Sequence, residues 1–265
     1  MNPLGQTTEY KSTYDPGLLF PISRSTGRQR IGLNGMPFHG IDAWTAYEFS
    51  CLNEEGKPLV AVCNFTFHCF SEFLIESKSL KLYLNSFNNS RFKDLDLVRN
   101  IIEADLSAIL KSEVKVWFDN PPPISFTATE KGNLDLIELK NVEIEKYNPD
   151  YLILKSDNKK SETLFSSLLK SNCPVTKQPD WATISIKYEG KEIDHEGLLR
   201  YILSFRNHNE FHEECVERIF WDVYQRLKPK KLTVFARYTR RGGIDINPDR
   251  SNCECLTSFK RTSRQ

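Results

Sequence analysis

The residues with the clearest chemical potential lie in one loop, Asn172-Cys173-Pro174-Val175-Thr176-Lys177-Gln178-Pro179-Asp180. A thiol and a carboxylate stand seven positions apart, on a segment stiffened by two prolines that also remove two backbone donors. The segment runs straight into the alternating stretch Ala182–Tyr188, which reads as a strand. A thiolate nucleophile beside a proton donor is the chemistry such a loop can carry. The plainer alternative is a packed cysteine next to an ordinary turn aspartate.

A second polar concentration is Glu76-Ser77-Lys78 with Lys81 close behind. It reads either as a helix start with a solvated face (or a lysine-guarded edge strand) or as a carboxylate for a polar heterocycle with lysines for phosphates. Metal chemistry lacks support. Cys253-Glu254-Cys255 has one intervening residue, and the adjacent His68 and Cys69 would point to opposite faces of a strand. The chain is expected to hold no metal.

Composition narrows the class. The chain has 265 residues, 39% of them hydrophobic, enough for one large or two modest domains. Its 36 basic and 35 acidic residues balance to +1, unlike a nucleic-acid binder, so no direct nucleic-acid contact is expected. No run approaches a membrane span, and Met1–Tyr10 lacks the apolar centre of a signal peptide. Seven scattered cysteines fit a reducing, cytoplasmic setting.

The elements that must position these groups follow from periodicity. Residues 1–30 read as an extended arm that packs on something through Tyr10, Tyr14, Leu18, Leu19, Phe20 and Ile22. Residues 41–50 and Pro58–Phe67 read as paired strands around the turn Asn53–Lys57. Residues 93–111 form an amphipathic helix and Val114–Phe118 a strand. Leu134–Val142 reads as a weak strand, Lys146–Asp150 as a turn, and Thr163–Lys170 as a short helix-like or extended piece. After the cysteine loop, strand Ala182–Tyr188, a turn at Tyr188–Lys191, an apolar segment Leu198–Phe205, a helix Phe211–Leu227 and a strand Lys231–Tyr238 follow. Arg240-Arg241-Gly242-Gly243 makes a turn before Ile244–Ile246.

The two halves repeat. Leu82–Asn89 parallels Arg200–Asn207 at an offset of 118, and with one residue inserted Phe92 parallels Phe211 and Asp94 parallels Glu213. A helix and a strand follow in both copies. The expected fold is α+β: two modules, residues 1–145 and 146–265, each an antiparallel sheet with helices on one face. The polar motifs differ between the copies, so a site built from pieces of both is expected.

Glu76-Ser77-Lys78-Ser79-Leu80-Lys81-Leu82-Tyr83, the Cys173–Asp180 loop, Phe211-His212-Glu213, Arg241-Gly242-Gly243 and the opening Asn2-Pro3-Leu4-Gly5 together resemble the NADPH-dependent 7-cyano-7-deazaguanine reductases, the nitrile reductases of queuosine biosynthesis. The resemblance covers about residues 2–259 and matches the long branch with tandem tunnelling-fold (T-fold) modules. It implies a four-electron reduction of a nitrile to a primary amine, with Cys173 adding to the nitrile carbon to give a thioimide and Asp180 donating the proton. It further implies that Ile75, Glu76, Ser77, Phe211, His212 and Glu213 bind the substrate, with His212 assisting proton transfer. Ser77, Lys78, Arg241 and Gly242 are implied to bind NADPH, with Lys81 a lesser candidate. No Gly-x-Gly-x-x-Gly follows a strand, so the cofactor site is not of the Rossmann kind. Two rival readings are a purine- or pterin-binding hydrolase of the same architecture and a non-enzymatic binding module with an inert Cys173. The duplication also predicts at least a homodimer, because sheet edges left open by two modules need covering.

Overall fold

The computed structural model describes residues 11, 13–33, 35–56, 58–119, 132–139, 146–253 and 265. The opening Asn2-Pro3-Leu4-Gly5, Cys255 and most of the basic tail lie outside them. Contacts divide the chain into two compact units that interleave along the sequence. Unit 1 takes residues 1–30, 41–123 and 240–246; unit 2 takes 31–40, 124–239 and 247–265. Relative to a single boundary after residue 145, unit 2 gains 31–40 and 124–145, and unit 1 gains Arg240–Ile246.

Unit 1 begins with β1 (Pro21–Ser23) and α1 (Arg24–Arg30), then β2 (Ile41–Leu52), β3 (Pro58–His68), β4 (Phe73–Ile75), α2 (Ser77–Ser86), α3 (Leu95–Leu110) and β5 (Val114–Asp119). β2 and β3 form an antiparallel hairpin, and β5 pairs with the far edge of β3. The turn between β2 and β3 is closed by Gly56 donating to the Asn53 carbonyl at 2.9 Å, with Gly56 at φ 85°. Alternate residues of these strands (Trp44 and Ala46, Cys63, Phe65 and Phe67, Val114 and Val116) face the helices. α3 answers with Val98, Ile102, Leu106 and Leu110, one stripe at four-residue spacing. Each such buried side chain contributes about 1.5–3 kcal/mol. Asp94 caps the start of α3 by accepting from the Leu97 amide at 2.8 Å, and Lys111 ends it in the left-handed region at φ 54°. The expected arm is partly regular, and Tyr14, Leu18 and Leu19 pack on this core.

Unit 2 consists of β6 (Leu154–Asn172), β7 (Pro179–Ile193), α4 (His195–Ser204), α5 (His212–Leu227), β8 (Lys231–Tyr238) and β9 (Ile244–Ser251), with β9 entering the unit at Asn247. The order is β9-β8-β7-β6, all antiparallel. Two expectations need correction. Residues 188–191 are not a turn, because β7 continues through them against β6. The polar stretch 157–162 therefore lies in a strand, where cross-strand pairs replace alternation: Tyr188 donates to Glu162 at 2.6 Å, and Lys191 meets Asp157 at 2.6 Å. In the described part of Leu134–Val142, Leu134–Leu136 is a 3-10 turn capped by Asn133, not a strand.

The duplication is visible atom by atom within each unit. Glu76 caps α2 and Asp194 caps α4, each ten-residue helix ending at a phenylalanine, Phe87 or Phe205. Tyr83 and Tyr14 both donate to Asp105, at 2.6 and 2.7 Å. Their counterparts Tyr201 and Tyr147 both donate to Asp222, at 2.5 and 2.6 Å. α3 starts at 95 and α5 at 212, so the second half of the repeat runs at an offset of 117. Asp94 therefore matches Phe211, and the expected pairing of Phe92 with Phe211 is wrong by two positions. The connecting loop is one residue shorter in the second copy, not longer.

Candidate functional site

The Cys173 loop is held by its own backbone. The Cys173 amide donates to the Gln178 carbonyl at 2.9 Å, and the Lys177 amide donates to the Cys173 carbonyl at 3.1 Å, with Lys177 at φ 60°. The Thr176 amide points at Cys173 Sγ from 3.5 Å. An N–H aimed at sulfur stabilises negative charge developing there, which is what a thiolate nucleophile needs. Cys173 is buried, with 4% of its surface exposed.

The flanking strands bring its partners in. Asp180 sits opposite Ser171 where β6 and β7 begin to pair, and it is buried. Asn172, next to the cysteine, accepts from the Glu210 amide at 3.1 Å and donates its own amide to the His208 carbonyl at 2.8 Å. These two bonds fix the lead-in of α5 against the end of β6. The first residue of α5, His212, consequently places Nε2 3.4 Å from Asp180 Oδ1. Phe211 is the cap residue and makes no side-chain cap bond, while Glu213 is buried in the first turn. Unit 2 thus gathers Cys173, Asp180, Phe211, His212 and Glu213 from two loops and a helix start. The Asp180–His212 contact spans 32 positions and has no sequence signal.

Below this region α5 carries more buried charge. Arg218 grips Glu210 through Nε, at 2.8 and 2.9 Å to its two oxygens. Burial pushes the Glu210 carboxyl up, but His208 and Arg218 outweigh it and hold it below the usual range. Glu217 accepts from Arg250 Nη2 at 3.0 Å.

In unit 1 the Glu76 motif proves to be a helix start. Its carboxylate accepts from the Lys78 amide at 2.8 Å and the Ser79 amide at 2.7 Å. Ile75 ends β4 just before it, and Ser77 and Lys78 open α2 half-buried. Burial pushes the Glu76 carboxyl up against the opposing pull of those amides and of Lys81 and Lys78. A carboxylate has about four acceptor positions, so two remain for donors other than the helix.

Unit 1 also holds a cleft of about 210 Å³ lined by Glu48, Lys81, Asn85, Asn88, Gly242 and Gly243, among others. A β-bulge between Ala46 and Phe49 turns Tyr47 toward the glycine turn, where its amide donates to the Gly243 carbonyl at 2.9 Å. A side chain at Gly242 would stand 3.2 Å from Lys81, and one at Gly243 2.7 Å from Glu48. Both glycines have positive φ. Lys81, treated as secondary from sequence, lines this cleft with Gly242. Glu48 and the two asparagines had no signal beyond their place in the fold. Among the described residues no group of three or more metal-type side chains converges, and no helix is long and apolar enough to cross a membrane.

Residues 10–118 match the family model described as "Nitrile reductase, 7-cyano-7-deazaguanine-reductase N-term", and residues 179–256 match that of "QueF-like protein". Similarity to whole proteins is closer. An NADPH-dependent 7-cyano-7-deazaguanine reductase from Albidiferax ferrireducens is 49% identical over all of this chain and 98% of its own length. This chain belongs to the 7-cyano-7-deazaguanine reductase family. The reductase of Chromobacterium violaceum is 50% identical, again over all of this chain and 96% of its own. That of Xylella fastidiosa is 54% identical over 95% of this chain and 92% of its own. In this family's terms the two units are tandem tunnelling-fold modules, antiparallel sheets with helices, of the long two-module type.

Proposed function

We propose that the protein is an NADPH-dependent oxidoreductase that reduces the nitrile of 7-cyano-7-deazaguanine to the primary amine of 7-aminomethyl-7-deazaguanine in queuosine biosynthesis. One nitrile, two NADPH and two protons give one amine and two NADP⁺. The observation that carries the residue roles is the Cys173 loop, with an amide aimed at sulfur and an Asp–His pair packed at its strand ends.

A nitrile carbon is a weak electrophile, so a soft thiolate is the suitable attacker. Cys173 Sγ bonds to that carbon while one π pair moves to nitrogen, which takes a proton from Asp180. The product is a thioimide on Cys173. NADPH, when bound, supplies hydride to carbon in two separate deliveries. Between them the C–S bond breaks and its electron pair returns to sulfur, leaving an imine. His212 returns a proton to that acid and protonates the imine nitrogen; its 3.4 Å distance from Asp180 supports the first of these roles. Glu76 and Glu213 accept from the ring N–H and amino donors of the deazaguanine, helped by the backbone of Ile75 and Ser77. Phe211 stacks on the base.

What supports a cofactor role for the cleft of unit 1 is Lys81, a cation in its lining, and a glycine turn that lets backbone approach closely. Ser77, Lys78, Arg241 and Gly242 are the residues we assign to NADPH, with cations for its phosphates. The protein works in the cytoplasm, where NADPH and reduced thiols are maintained, and as at least a homodimer. It makes no direct nucleic-acid or membrane contact. Stopped assays counting NADPH oxidised per amine formed test the reaction, with a ratio of two expected. NADPH-independent conversion of the ligand would support a hydrolase instead. A monomeric mass by light scattering at micromolar protein would refute the dimer.

A further inference from the structure

Tyr238 closes β8 and takes no part in the chemistry above. It lies in register with Ala182 on β7 and is 1% exposed. Its ring meets the His212 imidazole edge to face, with centroids 4.1 Å apart and planes at 73°. Its hydroxyl stands near the Cys215 thiol and the Ser171 hydroxyl without a well-formed hydrogen bond. The contact that orients His212 toward Asp180 is 3.4 Å, longer than a strong N–H···O bond. Such a contact leaves the imidazole free to tilt, and a ring at a helix start has no preceding turn to brace it. The ring of Tyr238 lies against the imidazole and limits that tilt.

We propose that Tyr238 is a positioning residue for His212, its aromatic ring holding the imidazole so that Nε2 faces Asp180. The ring does this, not the hydroxyl, because the hydroxyl makes no well-formed bond to lose. Two titratable groups contact the imidazole, Asp180 from β7 and Tyr238 itself, and Cys215 from α5 lies beside Tyr238.

The kinetic part of this inference rests on the proposed reductase reading; the structural part does not. Crystal structures of the wild type, Tyr238→Phe (Y238F) and Tyr238→Leu (Y238L) read the direction of the His212 ring. Nε2 should face Asp180 Oδ1 in the wild type and in Y238F, and should turn away from it in Y238L. An imidazole held alike in all three proteins would overturn the proposal, with or without turnover. His212→Ala (H212A), which lacks the ring, is the reference for the kinetics.

In turnover, Y238L should lower kcat by about 10- to 100-fold with KM for the nitrile nearly unchanged, the usual scale for a misplaced group. Y238F should recover most of the rate. Added to H212A, Y238L should cost nothing more, since residues acting through one another are not additive. A full additive loss in H212A would contradict the proposal. Absence of nitrile reduction by the wild type would instead sink the reductase reading and leave the direction of the imidazole to decide. If Y238L does not fold, Tyr238→Met (Y238M), whose longer and more flexible side chain fills irregular gaps without an aromatic edge, carries the same comparisons.

Discussion

Replacing Glu76 by Ala (E76A) separates its two roles, because the duplication supplies a matched control. Glu76 caps α2 through the Lys78 and Ser79 amides at 2.8 and 2.7 Å. Asp194 caps the equivalent helix through the Gly197 amide, also at 2.8 Å, and has no assigned substrate role. Losing a cap costs about 1 kcal/mol, within a range of about 0.5–2. Glu76 loses two bonds where Asp194 loses one, but burial that raises its carboxyl pKa already offsets part of that gain. Both E76A and Asp194→Ala (D194A) should therefore lose about 1–2 kcal/mol, or a few degrees in Tm for a chain of this size. Their kinetics should differ. A hydrogen bond from ligand to carboxylate is worth about 1.5–3 kcal/mol, so E76A should lower kcat/KM for the nitrile by about 10- to 150-fold. D194A should leave it within about threefold, the spread expected of an uninvolved site. Thermal unfolding and initial rates, measured on the same preparations, provide the comparison. Equal kinetic losses in the two variants would show that Glu76 is only a cap.

Three further outcomes follow from the geometry. Arg218→Met (R218M) leaves the buried Glu210 carboxylate with His208, 3.1 Å away, as its remaining partner, and should cost about 1.5–3 kcal/mol at neutral pH by denaturant unfolding. In the wild type the Glu210 carboxyl lies below its unfolded value, so its stabilisation is present above the ordinary carboxylate range and fades as pH falls through the folded pKa. R218M removes part of what holds that pKa down, so it should flatten the slope and be least harmful in acid. Gly242→Ala (G242A) places a side chain at φ 61° and against Lys81, with a strain of about 1–2 kcal/mol; KM for NADPH should rise while covalent capture of the nitrile persists. Tyr83→Phe (Y83F) and Tyr201→Phe (Y201F) each remove one bond to a carboxylate, and both should lose about 1.5–3 kcal/mol in unfolding experiments.

The parts of this architecture that were legible from sequence are those with local causes. The stripe of α3, the alternation of β2 and β3, and the stiff Cys173 loop announce themselves within a dozen residues. The Glu76 motif was legible as chemistry but ambiguous as structure, and it is a helix cap whose carboxylate keeps spare acceptor positions. What stayed hidden depends on tertiary pairing. β7 runs through 188–191 because β6 lies beside it, although the residues read as a turn. His212 meets Asp180 because Asn172 ties the end of β6 to the lead-in of α5. Glu48 reaches the cleft only through a bulge that sequence alternation cannot announce. The repeat offset was misjudged beyond Phe87 because the match of aromatic residues pulled the alignment away from the helix starts.

The most direct test of the account is intact-mass spectrometry of freshly reduced protein mixed with 7-cyano-7-deazaguanine and no NADPH, beside Cys173→Ala (C173A). The account predicts a gain of one substrate mass in the parent protein, absent from C173A and discharged when NADPH is added. No adduct on the parent, or an adduct that survives in C173A, would contradict it.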